Sequence, residues 1–142
     1  MKISQLLGQM EREVIGCSTG ETMAEAAMIL ADKRIGAMPV FDSGQVVGIV
    51  SERDILYGIA NDGAAILQKT VGECMTSPAI TVDQDTSVIA ALGLMTRRRI
   101  RHLPVVRNGE MLGFLSIGDL VKSRMDEIAG EADAMREYIA TA

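Results

Sequence analysis

Two Ser-x-x-Asp segments are the parts of this sequence whose residue types could bind a ligand. Ser51 and Asp54 form the first segment, and Ser116 and Asp119 form the second. Each begins a stretch with helical spacing, and a helix N-terminus presents unpaired N–H groups and a partial positive charge that favour an anion. The same spacing is a variant of the capping box, in which the two side chains only stabilise the helix. The pattern alone leaves both interpretations open.

An internal repeat positions the two segments. Moved by 65 positions, residues 34–40 fall on residues 99–105, and the register continues without a gap through Asp54 and Asp119. A repeat of this length indicates duplicated architecture. Because two equivalent halves form paired clefts where they meet, the repeat also predicts where ligands would bind.

Each repeat predicts, in order, a strand, a helix, two strands and a second helix. In the first repeat, residues 14–15 predict a short strand and Thr22 predicts the cap of a helix with an apolar stripe. Ser87 predicts the matching cap in the second repeat. Tight turns at residues 42–44 and 107–109 predict one hairpin in each repeat.

The predicted fold class is α+β, with a C-terminal amphipathic helix added to the repeats. A single repeat would bury its sheet poorly, because its helices cover only one face. We therefore expect two β-α-β-β-α repeats related by a pseudo-two-fold axis and packed sheet to sheet. The predicted boundaries are residues 1–62 for the first repeat with its N-terminal segment, 63–74 for a connector, 75–125 for the second repeat and 126–142 for a helical tail.

Composition and charge narrow the classes of function. The chain has 142 residues, of which 48% are hydrophobic and only 3% aromatic, and a net charge of -5. Few aromatic rings and an acidic balance argue against a general nucleic-acid binder. No apolar run approaches the roughly 20 residues of a membrane span, and the N-terminus lacks a signal-peptide core. We expect a cytoplasmic protein with no nucleic-acid or membrane partner.

Few residues of this sequence could support catalysis or bind a metal. Cys17 and Cys74 lack the close spacing of a zinc site, and His102 is the single histidine. The sequence contains no Gly-rich phosphate loop and no evident nucleophile partner for His102. We therefore expect no enzyme, no catalytic residue and no metal, with both thiols free and packed in the core.

The combination of these segments resembles a tandem pair of cystathionine beta-synthase (CBS) domains. The resemblance is carried by Gly-Ile-Val-Ser-Glu-Arg-Asp-Ile at residues 48–55 and Gly-Phe-Leu-Ser-Ile-Gly-Asp-Leu at residues 113–120. Met-Thr-Ser-Pro-Ala-Ile-Thr-Val at residues 75–82 resembles the family's usual lead-in to a repeat. The resemblance covers about residues 14–125. It implies a standalone, bacterial-type regulatory module that senses ligands containing adenosine.

The resemblance implies two ribose sites. Asp54 and Asp119 would each accept the hydroxyls of a ribose, with Ser51 and Ser116 adding hydroxyl contacts. At each site, the backbone of a lead-in would hold the adenine. We expect Thr76, Ala79 and Ile80 beside Asp119, and Val14 and Ile15 beside Asp54. The Asp119 site is favoured, because the first lead-in, residues 11–14, departs from the family pattern.

The resemblance also implies a phosphate tail that runs toward the seam between the repeats. The basic candidates for its contacts are Arg53, Arg99, Arg101 and His102. Arginine suits bidentate contact with phosphate, and Gly118, which aligns with Arg53, leaves room. The neighbouring strand positions that complete the candidate set are Ala37, Met38, Leu103 and Pro104. A structural role for His102 stays open, and Arg97 and Arg98 fit a solvated helix end.

Three questions stay open at this point: which ligand binds, how many bind, and whether any ligand binds at all. AMP, ADP, ATP and NAD all carry adenosine, and S-adenosylmethionine is a weaker candidate. The pair would hold one ligand or two. The alternative function is a ligand-independent interaction or dimerisation module, in which both clefts stay empty.

The tail predicts an amphipathic helix. Its apolar residues alternate steps of four and three: Val121, Met125, Ile128, Ala132, Met135 and Ile139. Such a helix either docks on its own domain or contacts a second subunit. The resemblance implies a homodimer and a downstream protein that the sequence does not identify.

Overall fold

The computed structural model describes residues 1–10 and 12–141. Glu11, in the predicted first lead-in, and Ala142, at the end of the predicted tail, lie outside this description. In chain order, the elements are α1 Ile3–Gln9, β1 Cys17–Ser18, α2 Met23–Lys33, β2 Ala37–Asp42, β3 Gln45–Ser51, α3 Glu52–Asp62, a 3-10 helix Gly63–Gln68, α4 Val71–Cys74, α5 Val88–Arg98, β4 His102–Arg107, β5 Glu110–Ser116 and α6 Ile117–Thr141. The predicted α+β class is confirmed.

The first strand of each repeat is short, and in the first repeat it lies three residues after the predicted position. In the first repeat β1 pairs parallel to β2 through Cys17 and Val40. In the second repeat, the equivalent contact is a single parallel bridge between Val82 and Val105. The predicted strand at residues 14–15 is wrong. The chain reaches β2 only after Gly16, where an added Cβ would lie 2.5 Å from the Phe41 ring.

Both predicted hairpins are confirmed. β2 and β3 are antiparallel across Ser43 and Gly44, whose φ angles are 52° and 81°. β4 and β5 are antiparallel across Asn108 and Gly109, whose φ angles are 53° and 79°. Two successive left-handed residues give the tight turn whose twist matches paired strands. The turns fix the register that places Ser51 and Ser116 at the strand ends.

Each repeat is completed by a segment that precedes the other repeat in the chain. Helix α1 packs into the core of the second repeat through Ile3 and Leu6, which are 0% and 6% exposed. The 3-10 helix and α4 pack into the core of the first repeat through Ile66 and Val71. Each lead-in directly follows one of these segments in the chain, so the two lead-ins are exchanged between the repeats as well.

Matching backbone hydrogen bonds hold the exchanged segments. The Ile3 N–H donates to the Thr86 carbonyl at 2.9 Å, and the Val71 N–H donates to the Glu21 carbonyl at 2.7 Å. Glu21 and Thr86 are equivalent positions of the repeat. The predicted connector, residues 63–74, is thus a folded part of the first repeat's core.

The second repeat runs into the tail without a break. α6 is one helix of 25 residues, and the predicted boundary at residue 125 lies inside it. Beyond Ile128, every described residue of α6 is exposed. The tail helix therefore does not dock on the repeats.

Candidate functional site

The Asp54 carboxylate caps helix α3 with one of its oxygens. Oδ2 accepts hydrogen bonds from the Ser51 backbone N–H at 2.9 Å and from the Ser51 hydroxyl at 3.1 Å. In return, the Asp54 N–H donates to Ser51 Oγ at 3.3 Å. The capping box is formed, as the pattern allowed, and it leaves the second oxygen for other partners.

The second Asp54 oxygen meets the exchanged lead-in. Thr76 Oγ1 donates to Asp54 Oδ1 at 3.0 Å. The Thr76 backbone is fixed beside β3, because it exchanges two hydrogen bonds of 2.9 Å with Ile49. A carboxylate has about four acceptor positions and these hydrogen bonds use three of them, so Asp54 retains one for a hydroxyl of a ligand.

A cavity of about 330 Å³ lies beside Asp54. Its wall combines β2, β3 and α3 of the first repeat with the lead-in of the second repeat and the turn after α5. The lining residues are Gly36, Ala37, Ile49, Ser51, Glu52, Arg53, Asp54, Thr76, Pro78, Ala79, Ile80, Arg99, Ile100, Arg101 and His102. We call this cavity the Asp54 cleft.

Three arginines give the Asp54 cleft a positive side. Arg53 lies in the first turn of α3, whereas Arg99 ends α5 in the left-handed conformation, with φ of 54°. Arg101 follows two residues later. Within residues 1–10 and 12–141, none of the three forms an ion pair. Their charge is therefore available to an anionic ligand, with Glu52 as the acidic neighbour.

The Asp119 carboxylate repeats the cap but has a different second partner. The Ser116 N–H donates to Asp119 Oδ2 at 2.8 Å, and the Asp119 N–H donates to Ser116 Oγ at 3.2 Å. The Arg12 guanidinium lies 2.6 Å from Oδ1. Burial opposes the charge on Asp119, but the hydrogen bonds from Ser116 and the Arg12 cation outweigh it and lower the pKa of the carboxyl.

The cavity near Arg12 is the smaller of the two, at about 180 Å³. We call it the Arg12 cleft. Its lining residues are Leu7, Met10, Arg12, Glu13, Val14, Ile15, Ile35, Ala37, Leu112, Gly113 and Phe114. Most of these are apolar, and Arg12 and Glu13 bring opposite charges, so the Arg12 cleft lacks the positive side of the Asp54 cleft.

The predicted grouping of site residues is wrong, because the lead-ins are exchanged. Thr76, Ala79 and Ile80 line the Asp54 cleft, not a cleft beside Asp119. Val14 and Ile15 line the Arg12 cleft, whose Arg12 pairs with Asp119. The Asp119 carboxylate, which the sequence favoured as the ligand site, already holds a cation of its own chain.

Comparison with known proteins now decides the family. The family model of the CBS domain matches residues 3–61 and 71–126. The chain belongs to the CBS-domain family. It is similar to the "CBS domain-containing protein CBSX3, mitochondrial" of Arabidopsis thaliana, with 36% identity over 128 residues, which are 87% of this chain and 62% of that protein. This CBS pair therefore spans less than two thirds of that relative's length.

Solved structures of CBS pairs have the same fold. The CBS-domain containing protein ATU1752 from Agrobacterium tumefaciens has a TM-score of 0.82 and 37% identity, covering 87% of this chain and 99% of that chain. The CBS domain protein PAE2072 from Pyrobaculum aerophilum, complexed with AMP, has a TM-score of 0.73 and 33% identity, covering 84% and 89%. The CBS domain pair of protein MJ0100, in complex with 5-methylthioadenosine and S-adenosyl-L-methionine, has a TM-score of 0.77 and 25% identity, covering 89% and 98%. This chain is a CBS-pair regulatory module.

His102 lies between the two clefts of the CBS pair. Its ring stacks on Phe114, with centroids 5.5 Å apart and planes 12° apart. His102 lines the Asp54 cleft and Phe114 lines the Arg12 cleft. Burial lowers the pKa of His102 below its ordinary value, although Asp119 and Glu52 act in the opposite direction. The neutral imidazole is therefore favoured near neutral pH.

Three predicted site residues lie in the hydrophobic interior instead. Met38 and Leu103 are 0% exposed, and each belongs to the core of its own repeat. Pro104 is also buried. Their side chains line neither cleft. Ala37, by contrast, lines both clefts.

Sequence reasoning missed Arg12. Its position aligns with Ser77, so the first lead-in carries a cation where the second has a small hydroxyl residue. That difference was the available signal. Its consequence depends on the exchange of lead-ins, which brings Arg12 to Asp119 on the opposite repeat.

The remaining chemistry of the CBS pair is limited. Across the described residues, no three His, Cys, Asp or Glu side chains group as metal ligands, and no helix there has the length and apolarity to cross a membrane. Burial, assisted by Glu21, raises the pKa of the Cys17 thiol to about 11. Burial also raises the pKa of Cys74. Both thiols are free, and both are held in the weakly reactive protonated form.

Proposed function

We propose that this CBS pair senses an adenine nucleotide by binding it in the Asp54 cleft. One observation carries the proposal: a carboxylate with a spare acceptor position and three arginines without ion-pair partners among the described residues line the same cavity. A ribose offers two hydroxyl donors, and a phosphate tail offers negative charge. The cleft therefore matches both ends of a nucleotide.

The ribose would bind at Asp54. Oδ2 stays engaged by the helix cap, and Oδ1 accepts one ribose hydroxyl beside the Thr76 hydroxyl, which can rotate to make room for the second. A hydrogen bond to a charged group contributes about 1.5 to 3 kcal/mol. The adenine would lie in the apolar part of the cleft, against Ile49, Ala79 and Ile80.

The charge of the cleft favours phosphorylated ligands. Arg53, Arg99 and Arg101 would attract the phosphates of AMP, ADP, ATP or NAD. The sulfonium of S-adenosylmethionine would meet the same cations and be repelled. The structures with AMP and with adenosine-containing sulfur compounds support the shared adenosine, since all of those ligands carry adenine and ribose.

Sensing requires that the nucleotide binds two states of the pair differently. The Asp54 cleft joins both repeats, because its wall takes β3 from the first and Arg101 and His102 from the second. A ligand that contacts both walls binds best at one spacing of the repeats. Nucleotide binding would therefore bias the arrangement of the pair.

Isothermal titration calorimetry tests this function. AMP, ADP, ATP, NAD and S-adenosylmethionine are titrated into the wild-type chain, into Asp54→Asn and into the control Asp133→Asn on the exposed part of α6. We expect at least one phosphorylated ligand to bind with a micromolar Kd, and Asp54→Asn to weaken it about tenfold or more. Absence of binding below millimolar concentration for every ligand would refute the function.

We also propose that α6 joins two copies of this chain. Its exposed apolar stripe includes Met125, Ile128, Met135 and Ile139, with exposed fractions of 64%, 49%, 58% and 67%. The steps of four and three place these side chains on one face, which suits packing against an identical helix. Sedimentation of the wild type and of Ile128→Glu tests this. A monomeric wild type, or a dimer that Ile128→Glu leaves intact, would rule out the stripe as the interface.

A further inference from the structure

We infer that Arg12 occludes the second ribose site of this CBS pair, so that the Asp119 carboxylate accepts a ligand only when the guanidinium is displaced. The inference rests on the proposed function of the equivalent Asp54 site. It predicts one nucleotide per chain in the wild type, with a second site that the chain's own lead-in holds closed.

The two carboxylates show the occlusion when they are compared atom by atom. Asp54 Oδ1 faces Thr76 Oγ1 at 3.0 Å, and Asp119 Oδ1 faces the Arg12 guanidinium at 2.6 Å. A hydroxyl both donates and accepts, and it can rotate to share the carboxylate with a ligand. A guanidinium only donates, and it occupies the position that a ribose hydroxyl needs.

Burial and anchoring make the occlusion persistent but reversible. The Asp119 side chain is 18% exposed, whereas that of Arg12 is 61% exposed. Arg12 therefore reaches in from the surface and has room to leave. The lead-in that carries it is anchored by α1, whose Leu7 packs beside Gly113 of β5. Displacing Arg12 requires a side-chain movement, and the helix can stay in place.

The chemistry of the Arg12 cleft selects a neutral ligand for the opened site. The positions equivalent to Arg53 and Arg101 are Gly118 and Gly36, and Arg34, which is equivalent to Arg99, does not line the Arg12 cleft. Glu13 adds negative charge that repels phosphate. Once Arg12 has moved, the Asp119 carboxylate is freed beside a cleft whose walls are mostly apolar, which suits an uncharged nucleoside such as adenosine.

Calorimetry with adenosine tests the inference on a background in which the first site is weakened. The background is Asp54→Asn, and the comparison adds Arg12→Ala, Arg12→Gln or the control Arg136→Ala. Arg136 also pairs with an aspartate, but on the exposed tail, where its side chain is 80% exposed. Thermal unfolding of each variant verifies that it is folded, and Arg12→Gln serves if Arg12→Ala fails that check.

We expect Asp54→Asn with Arg12→Ala to bind one adenosine per chain, about tenfold or more tightly than Asp54→Asn alone. Adding Asp119→Asn should abolish this gain, and Arg136→Ala should give none. Unchanged or weaker adenosine binding on removal of Arg12 would overturn the inference, as would a gain that survives Asp119→Asn. AMP binding to the wild type reports separately on the Asp54 cleft, so failure of one proposal is distinguishable from failure of the other.

Discussion

The Asp54 and Asp119 sites share one backbone and differ in the side chains that a ligand would meet. Both aspartates cap a helix through the serine three residues before them. The difference begins at the second carboxylate oxygen, which meets a neutral hydroxyl at Asp54 and a cation at Asp119. Duplication kept what the helix requires. The partner of the second oxygen diverged.

The difference also separates two readings of the Ser-x-x-Asp pattern. Helix capping is served equally in both repeats, so it cannot explain why the Asp54 cleft is lined by three arginines without ion-pair partners among the described residues, whereas Arg12 of the other cleft pairs with Asp119. The proposed ligand binding would explain this asymmetry, because among the described residues the Asp54 cleft combines a carboxylate that accepts hydroxyls with cations that form no ion pair. The cap and the proposed ligand site would share one aspartate, each using a different oxygen.

The largest expected effect is on nucleotide affinity, when the two aspartates are exchanged for asparagine in turn. Asp54→Asn should weaken AMP binding about tenfold or more, because it removes the charge that strengthens the ribose hydrogen bonds. Asp119→Asn should change AMP affinity less than about twofold, since Arg12 already occupies its carboxylate. Calorimetry of both variants measures the ratio. Equal losses would show that the two clefts bind alike.

The second-largest expected effect is on the free energy of unfolding, at two glycines where an exchanged segment packs closely against a strand. A Cβ at Gly48 would lie 2.8 Å from the Thr76 carbonyl oxygen, whereas a Cβ at the equivalent Gly113 would meet the flexible Leu7 side chain. Gly48→Ala should therefore destabilise the fold by roughly 1 to 3 kcal/mol, and Gly113→Ala by less. Urea unfolding of the two variants gives the difference. A larger cost at Gly113 would contradict the contacts described for Leu7.

The helix caps should show no difference between the repeats. Ser51→Ala and Ser116→Ala each remove the hydroxyl that accepts from the aspartate N–H. We expect each to lower the free energy of unfolding by about 1 kcal/mol. Chemical unfolding provides the measurement. If one substitution lowered the free energy of unfolding several times more than the other, the two caps would not be equivalent.

The smallest effect is a pH dependence at the point where the clefts meet. Because the pKa of His102 is lowered in the folded state, unfolding favours proton uptake below the ordinary value of 6.5. This contribution to stability is full above pH 6.5 and is lost as the pH falls toward the folded pKa. His102→Gln should flatten the change in urea midpoint between pH 8 and pH 5.5. An unaltered slope would exclude His102, the single histidine, as its source.

Local patterns predicted the repeat architecture well, because their signals lie within a few residues. Asn108 and Gly109 specify a turn through their backbone preferences, and Thr22 and Ser87 form the caps that their types indicate. The two capping carboxylates at helix starts followed from the same short-range spacing, whereas their ribose role was implied by the family resemblance.

The partners of those carboxylates could not be predicted in the same way. The exchange of lead-ins depends on packing between distant segments, such as Ile3 against the second core, and no local spacing encodes it. Strand β1 has only two residues, too few for a periodic signal. The ion pair of Arg12 and Asp119 depends on that exchange, so local spacing does not predict it either.

A crystal structure of the wild-type chain grown with AMP tests the central claim most directly. The account predicts density for one nucleotide per chain, with its ribose hydroxyls at hydrogen-bond distance from Asp54 and its phosphate among Arg53, Arg99 and Arg101, while Arg12 stays on Asp119. A nucleotide bound at Asp119 with Arg12 displaced, beside an empty Asp54 cleft, would contradict it.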